Sequence, residues 1–196
     1  TEIRSIASKE EHILITTNAD ELLSIKEEPI IHDEKQEATI KIDENKGFFK
    51  KSQLTEDELN FLLNKKYVIS SHVPLGGGKQ EIYVLNPSKL ESNNHFFLVK
   101  AIEEYLSQYT KKIKLYQTTH PDIVFEAKGK KIAVEVETGK NLRFENRMKE
   151  KLRGLSKYSD WIFVVVHSDL CYQYSKLGKT FTRKNVCKQL RGYFRK

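Results

Sequence analysis

The chain contains 196 residues, and 38% of them are hydrophobic, which is enough to bury one or two ordinary cores. No run approaches the roughly 20 apolar residues of a membrane-spanning helix. No signal peptide is visible either, so the cytoplasm is the expected compartment. Cys171 and Cys187 do not belong to a zinc-type cluster and are expected to be reduced thiols.

The net charge of +7 is unevenly distributed along the chain. Residues 1–50 hold 7 basic and 12 acidic residues, whereas residues 141–196 hold 14 basic and 4 acidic ones. A strongly basic region favours a polyanion such as nucleic acid as the partner. A lysine-rich surface that contacts only solvent is the alternative.

Residues 1–45 form the least informative part of the chain. Short strands are predicted over 12–17 and 38–43, with a charged stretch that contains Pro29 between them. This segment is expected to be a small β-rich element, a linker or the end of a preceding domain. The first residue is Thr and the chain has a single methionine, Met148, so we expect a fragment of a longer protein.

Residues 46–90 contain signals for a helix and a β-hairpin. Thr55 and Glu58 form the pattern of a capping box, and leucines at helical spacing follow them. Two β-rich runs, 67–73 and 81–85, are separated by a glycine-rich turn, which predicts a hairpin. A short helix followed by such a two-stranded wing resembles the C-terminal half of a winged-helix domain.

The winged-helix resemblance implies contact with duplex DNA through the helix and the wing. The basic residues that would make this contact are Lys65, Lys66 and Lys79. A winged helix that serves only for packing or for protein contact is the alternative.

Residues 91–196 show a clearer order of elements. Helices are predicted over 94–109, 142–158 and 184–194, and strands over 112–118, 123–127, 131–138 and 161–167. The last of these strands is apolar on both faces, which indicates the middle of a sheet. The residues that the helix over 142–158 is expected to bury are Phe144, Met148, Leu152 and Leu155. The order αβββαβα predicts an α/β domain with a mixed sheet and helices on both sides.

Three acidic residues lie where two neighbouring strands would bring them together. Asp122 precedes the strand over 123–127, and a short link can fold the next strand back against it. Side chains alternate along a strand, so Glu135 and Glu137 share one face while the valines beside them face the core. Three converging carboxylates repel one another unless a cation lies among them, and all-oxygen ligands suit Mg²⁺ or Mn²⁺. Alternatively, the two glutamates lie on an exposed face and pair with lysines.

The acidic residues and the order of elements resemble a known superfamily. Pro121 and Asp122 open one strand, and Glu135 and Glu137 form a Glu-x-Glu motif in the next. This pattern resembles the PD-(D/E)xK nuclease superfamily, the fold of restriction endonucleases, over roughly residues 93–170. The resemblance implies a restriction-endonuclease-like αβββαβ core with a mixed sheet, preceded by the winged-helix-like module.

A narrower resemblance involves residues 132–140, which are followed by a basic helix and a valine-rich strand. This run is similar to the nuclease-like domains of DNA-translocating ATPases from plasmids and conjugative elements, in which a winged helix also precedes the nuclease-like domain. The likeness implies that the chain is the C-terminal part of a mobile-element protein, with DNA and a larger DNA motor as partners. Dimerisation is common in the superfamily, so a homodimer is also expected.

The resemblance assigns roles to individual residues. Asp122 and Glu135 would hold one or two Mg²⁺ or Mn²⁺ ions, and Glu137 would be a further ligand or would position the attacking water. The superfamily usually has Lys at the position of Glu137, so Lys140 would supply the positive charge instead. Superfamily members often add an acid from the first helix, and the candidates here are Glu103 and Glu104, of which Glu104 is preferred; alternatively, both glutamates belong to a solvent-exposed helix face.

The sequence therefore predicts a metal-dependent DNA endonuclease. A DNA-binding protein that keeps the nuclease fold without turnover, and a protein-interaction adaptor on a larger motor, are the alternatives. His95 and His120 are close to the acidic motif in sequence and are expected to be structural. The basic residues expected to bind DNA, besides those of the wing, are Arg143, Lys149, Arg153, Arg183, Lys184 and Arg191.

Overall fold

The computed structural model describes residues 42–89, 91–117 and 120–195, which belong to one compact unit. These residues form a mixed α/β structure with a three-stranded antiparallel sheet and a five-stranded mixed sheet. The predicted strand over 12–17 and most of the one over 38–43 lie outside the described residues. None of the helices within the described ranges is long and apolar enough to cross a membrane.

The first part of the structure is a small sheet with one helix. Its strands are β1 (Phe48–Lys50), β2 (Val68–His72) and β3 (Glu81–Leu85), and helix α1 (Glu56–Asn64) follows β1 in the chain. The strand order is β1-β3-β2 with antiparallel pairings, which confirms the predicted hairpin as β2 and β3.

The predicted capping box at the start of α1 is also confirmed. The backbone N–H of Glu58 donates to Thr55 Oγ1 at 3.3 Å, and the backbone N–H of Thr55 donates to Glu58 Oε2 at 2.9 Å. Both groups would otherwise lack a partner at the helix N-terminus, so the two hydrogen bonds define where α1 begins.

The two faces of the small sheet pack against different helices. On one face, Val84 packs in a cluster with Leu62 of α1. On the other face, Tyr83 packs against Phe97 of helix α2 (Asn93–Ser107), with ring centroids 4.8 Å apart. Helix α2 therefore joins the small sheet to the rest of the structure.

The five-stranded sheet contains most of the remaining chain. Its strands are β4 (Ile113–Leu115), β5 (Ile123–Ala127), β6 (Lys130–Glu137), β7 (Asp160–Val165) and β8 (Thr180–Thr182). The accompanying helices are α3 (Glu145–Leu155), α4 (Cys171–Ser175) and α5 (Val186–Gly192). The strand order is β4-β5-β6-β7-β8, antiparallel from β4 to β6 and parallel from β6 to β8. The apolar strand β7 is interior, as predicted.

A tight turn sets the register between β5 and β6. Lys128 and Gly129 have φ values of 51° and 73°, and two consecutive positive φ values match the twist of an antiparallel hairpin. In the resulting register Ile123 lies opposite Val134. Asp122, directly before β5, is therefore next to the β6 segment that carries the Glu-x-Glu motif.

Helices cover both faces of the large sheet, as predicted. Val134 and Val136 belong to the cluster that packs against α2 and α5, whereas Ala133 belongs to the cluster that packs against α3 and α4. Side chains alternate along β6, so Glu135 and Glu137 lie on the same face as Ala133. They therefore face α3 and α4.

Three features of the fold differ from the sequence prediction. Helix α4 and strand β8 were not predicted, because elements of five and three residues show no periodicity. The prediction that Phe144 is buried was wrong, since its side chain is 40% exposed. Phe144 precedes α3 with φ of −115° and ψ of 85°, which is not a helical backbone, so helical spacing does not apply to it. Met148 and Leu155, inside α3, are buried as predicted, whereas Leu152, also predicted to be buried, is only partly buried.

At Gly178, after α4, the backbone lies very close to the Trp161 ring of β7. A Cβ atom at Gly178 would lie 2.2 Å from Cη2 of Trp161. Gly178→Ala is therefore expected to lower the free energy of unfolding by about 1–3 kcal/mol, measured by urea denaturation. The control is Gly154→Ala in α3, where a Cβ meets nothing within 4 Å and which should stabilise the helix by up to about 1 kcal/mol. Equal effects of the two substitutions would contradict the prediction.

Candidate acidic site

The three acidic residues come together beside the paired strands β5 and β6. Asp122 Oδ2 accepts a hydrogen bond from the backbone N–H of Val136 at 2.7 Å, which holds the residue before β5 against β6. Glu135 and Glu137 are buried, with exposures of 6% and 2%. Carboxylates buried to this extent require charged or hydrogen-bonding partners.

Lys151 on α3 is the partner of both glutamates. Its Nζ donates to Glu137 Oε1 at 2.6 Å and also to Glu135 Oε1. Burial alone would lower the pKa of Lys151, but the charges of the two carboxylates outweigh it and raise that pKa. The Lys151 side chain is 23% exposed, so its ammonium group lies between the buried carboxylates and solvent.

Tyr174 on α4 binds the other oxygen of Glu137. The Tyr174 hydroxyl donates to Glu137 Oε2 at 2.7 Å, and the tyrosine side chain is completely buried. Burial, together with this hydrogen bond, raises the pKa of Tyr174, so the hydroxyl stays protonated and remains a donor. Glu137 is thus held on both oxygens by groups from two different helices.

The pKa of Glu135 is shifted by burial and by a neighbouring charge. Burial first, and then the nearby charge of Asp122, raise the pKa of Glu135 to about 7, although Lys151 opposes the shift. A carboxyl group that exchanges its proton near neutral pH is typical of functional sites, and structural ion-pair networks produce such shifts as well. Because the charge of Asp122 contributes to the shift, protonation of Glu135 depends on Asp122.

His95 on α2 connects Asp122 to a further acid. Its Nε2 lies 3.3 Å from Asp122 Oδ1, and its Nδ1 lies 2.6 Å from Glu91 Oε1. Burial would lower the pKa of His95, but hydrogen bonds to Asp122 and Glu91 outweigh burial and raise it to about 10. The imidazolium therefore donates from Nδ1 to Glu91 and forms an ion pair with Asp122 through Nε2, so both oxygens of Asp122 have a partner.

Two clefts open from this cluster to solvent. The larger, about 430 Å³, is lined by Glu135 and Lys151 among others. The smaller, about 230 Å³, is lined by Glu91, His95 and Lys140 among others. A ligand in the larger cleft can therefore reach both the perturbed carboxyl group and its ammonium partner.

Lys140 and Glu104 do not join the three acids. Lys140 is exposed and lies in the smaller cleft, beyond the end of β6. Glu104 lies on another part of α2 and pairs with Lys46 at 3.2 Å. Another acid, Glu91, takes part in the cluster instead of Glu104. Glu91 precedes α2 and contacts Asp122 only through His95.

Most of the basic residues expected to bind DNA are on the surface. The exposed ones are Lys65, Lys66, Lys79, Arg143, Lys149, Arg153, Lys184 and Arg191. Lys65 and Lys149 also form ion pairs with neighbouring glutamates. Arg183 is half-buried and donates to the backbone carbonyls of Val73 at 3.4 Å and Val166 at 3.3 Å. Its contacts connect the small sheet to the end of β7, so they are structural.

Sequence reasoning missed three residues of the cluster, namely Lys151, Tyr174 and Glu91. One of them carried a signal, because Lys151 lies on the same helical stripe as the buried residues Met148 and Leu155. A lysine within an apolar stripe indicates a buried charge with a partner. Tyr174 and Glu91 belong to short or irregular segments whose neighbours in space are far away in sequence.

The donor atoms of the cluster fit a hard divalent cation in their chemistry, because they are carboxylate oxygens. Within the described ranges, however, no three His, Cys, Asp or Glu side chains are arranged as a set of metal ligands. The ammonium group of Lys151 lies between Glu135 and Glu137. A cation that binds both glutamates has to displace it.

Comparison with known proteins gives no family assignment. No protein-family description matches the chain, and no curated protein or solved structure is significantly similar to it. The functional proposal therefore depends on the fold and on the acidic cluster.

Proposed function

We propose that this protein is a metal-dependent DNA endonuclease with a restriction-endonuclease-like core. The observation that carries the proposal is the cluster of Asp122, Glu135 and Glu137 beside two paired strands, next to an open cleft of about 430 Å³. The chain order of α2, β4, β5, β6, α3 and β7, in one mixed sheet, supports it.

In this proposal Asp122, Glu135 and Lys151 have separate tasks. A bound Mg²⁺ or Mn²⁺ would neutralise phosphate charge and lower the pKa of the attacking water. Asp122, which His95 and the backbone N–H of Val136 hold in one orientation, would bind the cation. Glu135 exchanges its proton near neutral pH. Lys151 turns from the glutamates into the adjoining cleft, where its ammonium group contacts a phosphate oxygen. Lys151 thereby supplies the positive charge first assigned to Lys140.

We also infer that residues 46–89 act as a winged-helix-like module that binds duplex DNA. The order of β1, α1 and the β2–β3 hairpin supports this role. Lys79, in the loop of the hairpin, and Lys66, after α1, are exposed and available for phosphate contact. Such contacts weaken steeply as salt is raised.

Cleavage of plasmid DNA tests the nuclease proposal. Wild-type protein is expected to nick or linearise supercoiled DNA in Mg²⁺ or Mn²⁺ and to lose this activity in EDTA. Asp122→Asn removes the negative charge between His95 and Glu135. It should slow cleavage by at least about 100-fold, because the cation would lose a carboxylate ligand and would no longer activate the attacking water.

The matched control for this experiment is Glu126→Gln. Glu126 is the acidic residue of β5, the strand that Asp122 directly precedes. It pairs with Lys112 on the surface and is not part of the cluster. Its replacement should leave the cleavage rate within about twofold, since an exposed ion pair contributes little. Absence of wild-type cleavage on supercoiled, linear, single-stranded and branched DNA would overturn the proposal.

A DNA-binding protein without turnover is the second candidate. The observation that favours it is Lys151, whose ammonium group pairs with both Glu135 and Glu137 and lies where a cation that binds both would be. In that case DNA binding is expected to be salt-sensitive, titration calorimetry should detect no Mg²⁺ binding, and no cleavage should occur in either metal.

A further inference from the structure

An exposed aromatic ring contacts a residue that lines the cleft of Glu135 and Lys151. Phe144 is 40% exposed, directly before α3, although Met148 and Leu155 of that helix are buried. An isolated exposed apolar residue is common on protein surfaces. Phe144 differs because two arginines lie close to its ring and one of them, Arg147, lines the cleft.

The two arginines lie close to the ring. The guanidinium carbon of Arg143 is 5.0 Å from the ring centroid of Phe144, and that of Arg147 is 4.8 Å from it. Arg147 lines the same cleft as Glu135 and Lys151. The ion pairs that α3 forms among the described residues use Lys149 and Lys151, so both guanidinium groups remain available to an anionic ligand.

We propose that Arg143, Phe144 and Arg147 bind an unpaired nucleotide of DNA, with its base stacked on Phe144 and its phosphate directed toward the cleft. Aromatic rings and arginine planes are the groups on which unpaired bases stack, and the guanidinium charge also binds phosphate. Bases inside a duplex have both faces covered by their neighbours, so an exposed ring gains little from paired DNA.

This inference rests on the proposed function, because it names the substrate class of the same cleft. The preferred substrate is DNA that has an unpaired base beside the phosphate to be cleaved, as in a single-stranded segment, a flap or a branch. Basic side chains without an aromatic ring would be sufficient for duplex DNA alone.

The test is a binding experiment in EDTA, which does not depend on cleavage. The probes are a single-stranded oligonucleotide with a fluorescent adenine analogue, a duplex in which that analogue is unpaired, and the fully paired duplex. Stacking on Phe144 should quench the analogue in the first two probes. Phe144→Ala should weaken their binding by about tenfold or more and change binding of the paired duplex by less than about twofold. Phe144→Trp should preserve both affinity and quenching.

Tyr172→Ala is the matched control. Tyr172 is 71% exposed and has the Lys176 ammonium group 4.2 Å from its ring centroid, but it is on α4, and Lys176, unlike Arg147, does not line the cleft. Its removal should leave all three affinities unchanged. Equal effects of Phe144→Ala on paired and unpaired probes, or tighter binding of RNA than of DNA of the same sequence, would overturn the inference. If plasmid DNA is cleaved normally but one of these two results is found, the proposed function holds and only the stacking site is refuted. If the analogue is quenched but no DNA is cleaved, the stacking site is supported and the nuclease function is not.

Discussion

Lys151→Met is expected to lower the free energy of unfolding by about 3–5 kcal/mol, since breaking a buried ion pair leaves uncompensated charge. The substitution keeps most of the side-chain volume but removes the only ammonium group that contacts Glu135 and Glu137 among the described residues. Without this ammonium group the pKa of Glu135, already about 7, rises further, so at pH 7 the buried site must take up a proton and loses both hydrogen bonds from Lys151. Urea denaturation at pH 7 measures the loss.

Two further variants separate charge from packing in this experiment. Lys149→Met changes a lysine on the same helix whose partner, Glu145, is exposed, and should shift stability by no more than about 0.5 kcal/mol. Adding Glu135→Gln to Lys151→Met should recover part of the lost stability, because glutamine is neutral and does not have to take up a proton when the site is buried. Equal small losses for both lysine variants would show that the buried cluster does not depend on Lys151.

The Lys151→Met variant also reports on the cation site. If the carboxylates form a divalent-cation site, millimolar Mg²⁺ should raise the denaturation midpoint of this variant more than that of the wild type, because no ammonium group competes. No difference between the two proteins would argue for the second candidate function, in which the lysine is the permanent partner of the glutamates.

His72→Phe is expected to remove a large part of the protein's sensitivity to acid. His72 is buried, its Nε2 has no hydrogen-bond partner among the described residues, and its ring stacks on Phe97 with centroids 4.1 Å apart. Burial and, next, the charge of Arg183 lower the pKa of His72 to about 4. Because the folded-state pKa is below the unfolded one, the stabilising contribution is present above pH 6.5 and is lost as the pH falls toward 4.

The size of the stability loss in acid follows from how far the pKa of His72 is lowered. A fully buried imidazole with a pKa near 4 should reduce wild-type stability by roughly 3 kcal/mol between pH 7 and pH 4, beyond the contribution of other groups. The free energy of unfolding of His72→Phe relative to wild type should therefore increase as the pH falls from 7 to 4. Urea denaturation at several pH values measures this difference. His167→Gln, at an exposed histidine, should run parallel to the wild type. Parallel curves for His72→Phe would contradict the assignment.

The acidic cluster illustrates which parts of a site follow from local rules. Asp122, Glu135 and Glu137 were named from strand alternation and a short hairpin link, and both features are properties of adjacent residues. Lys151, Tyr174 and Glu91 were not named, because each reaches the cluster through a separate helix or loop. Burial of Glu135 and Glu137 was also unforeseen, since it depends on α3 and α4 covering that face of β6.

The sequence by itself determined the elements that depend on local chemistry. These are the capping box of α1, the β2–β3 hairpin, the tight turn at Lys128 and Gly129, and the interior position of β7. Tertiary structure alone decided that Phe144 is exposed, that β8 extends the sheet, and that the ammonium group of Lys151 lies between two glutamates. The reason is physical: hydrogen bonds and side-chain periodicity act over a few residues, whereas burial and charge pairing depend on segments that meet only after the chain has folded.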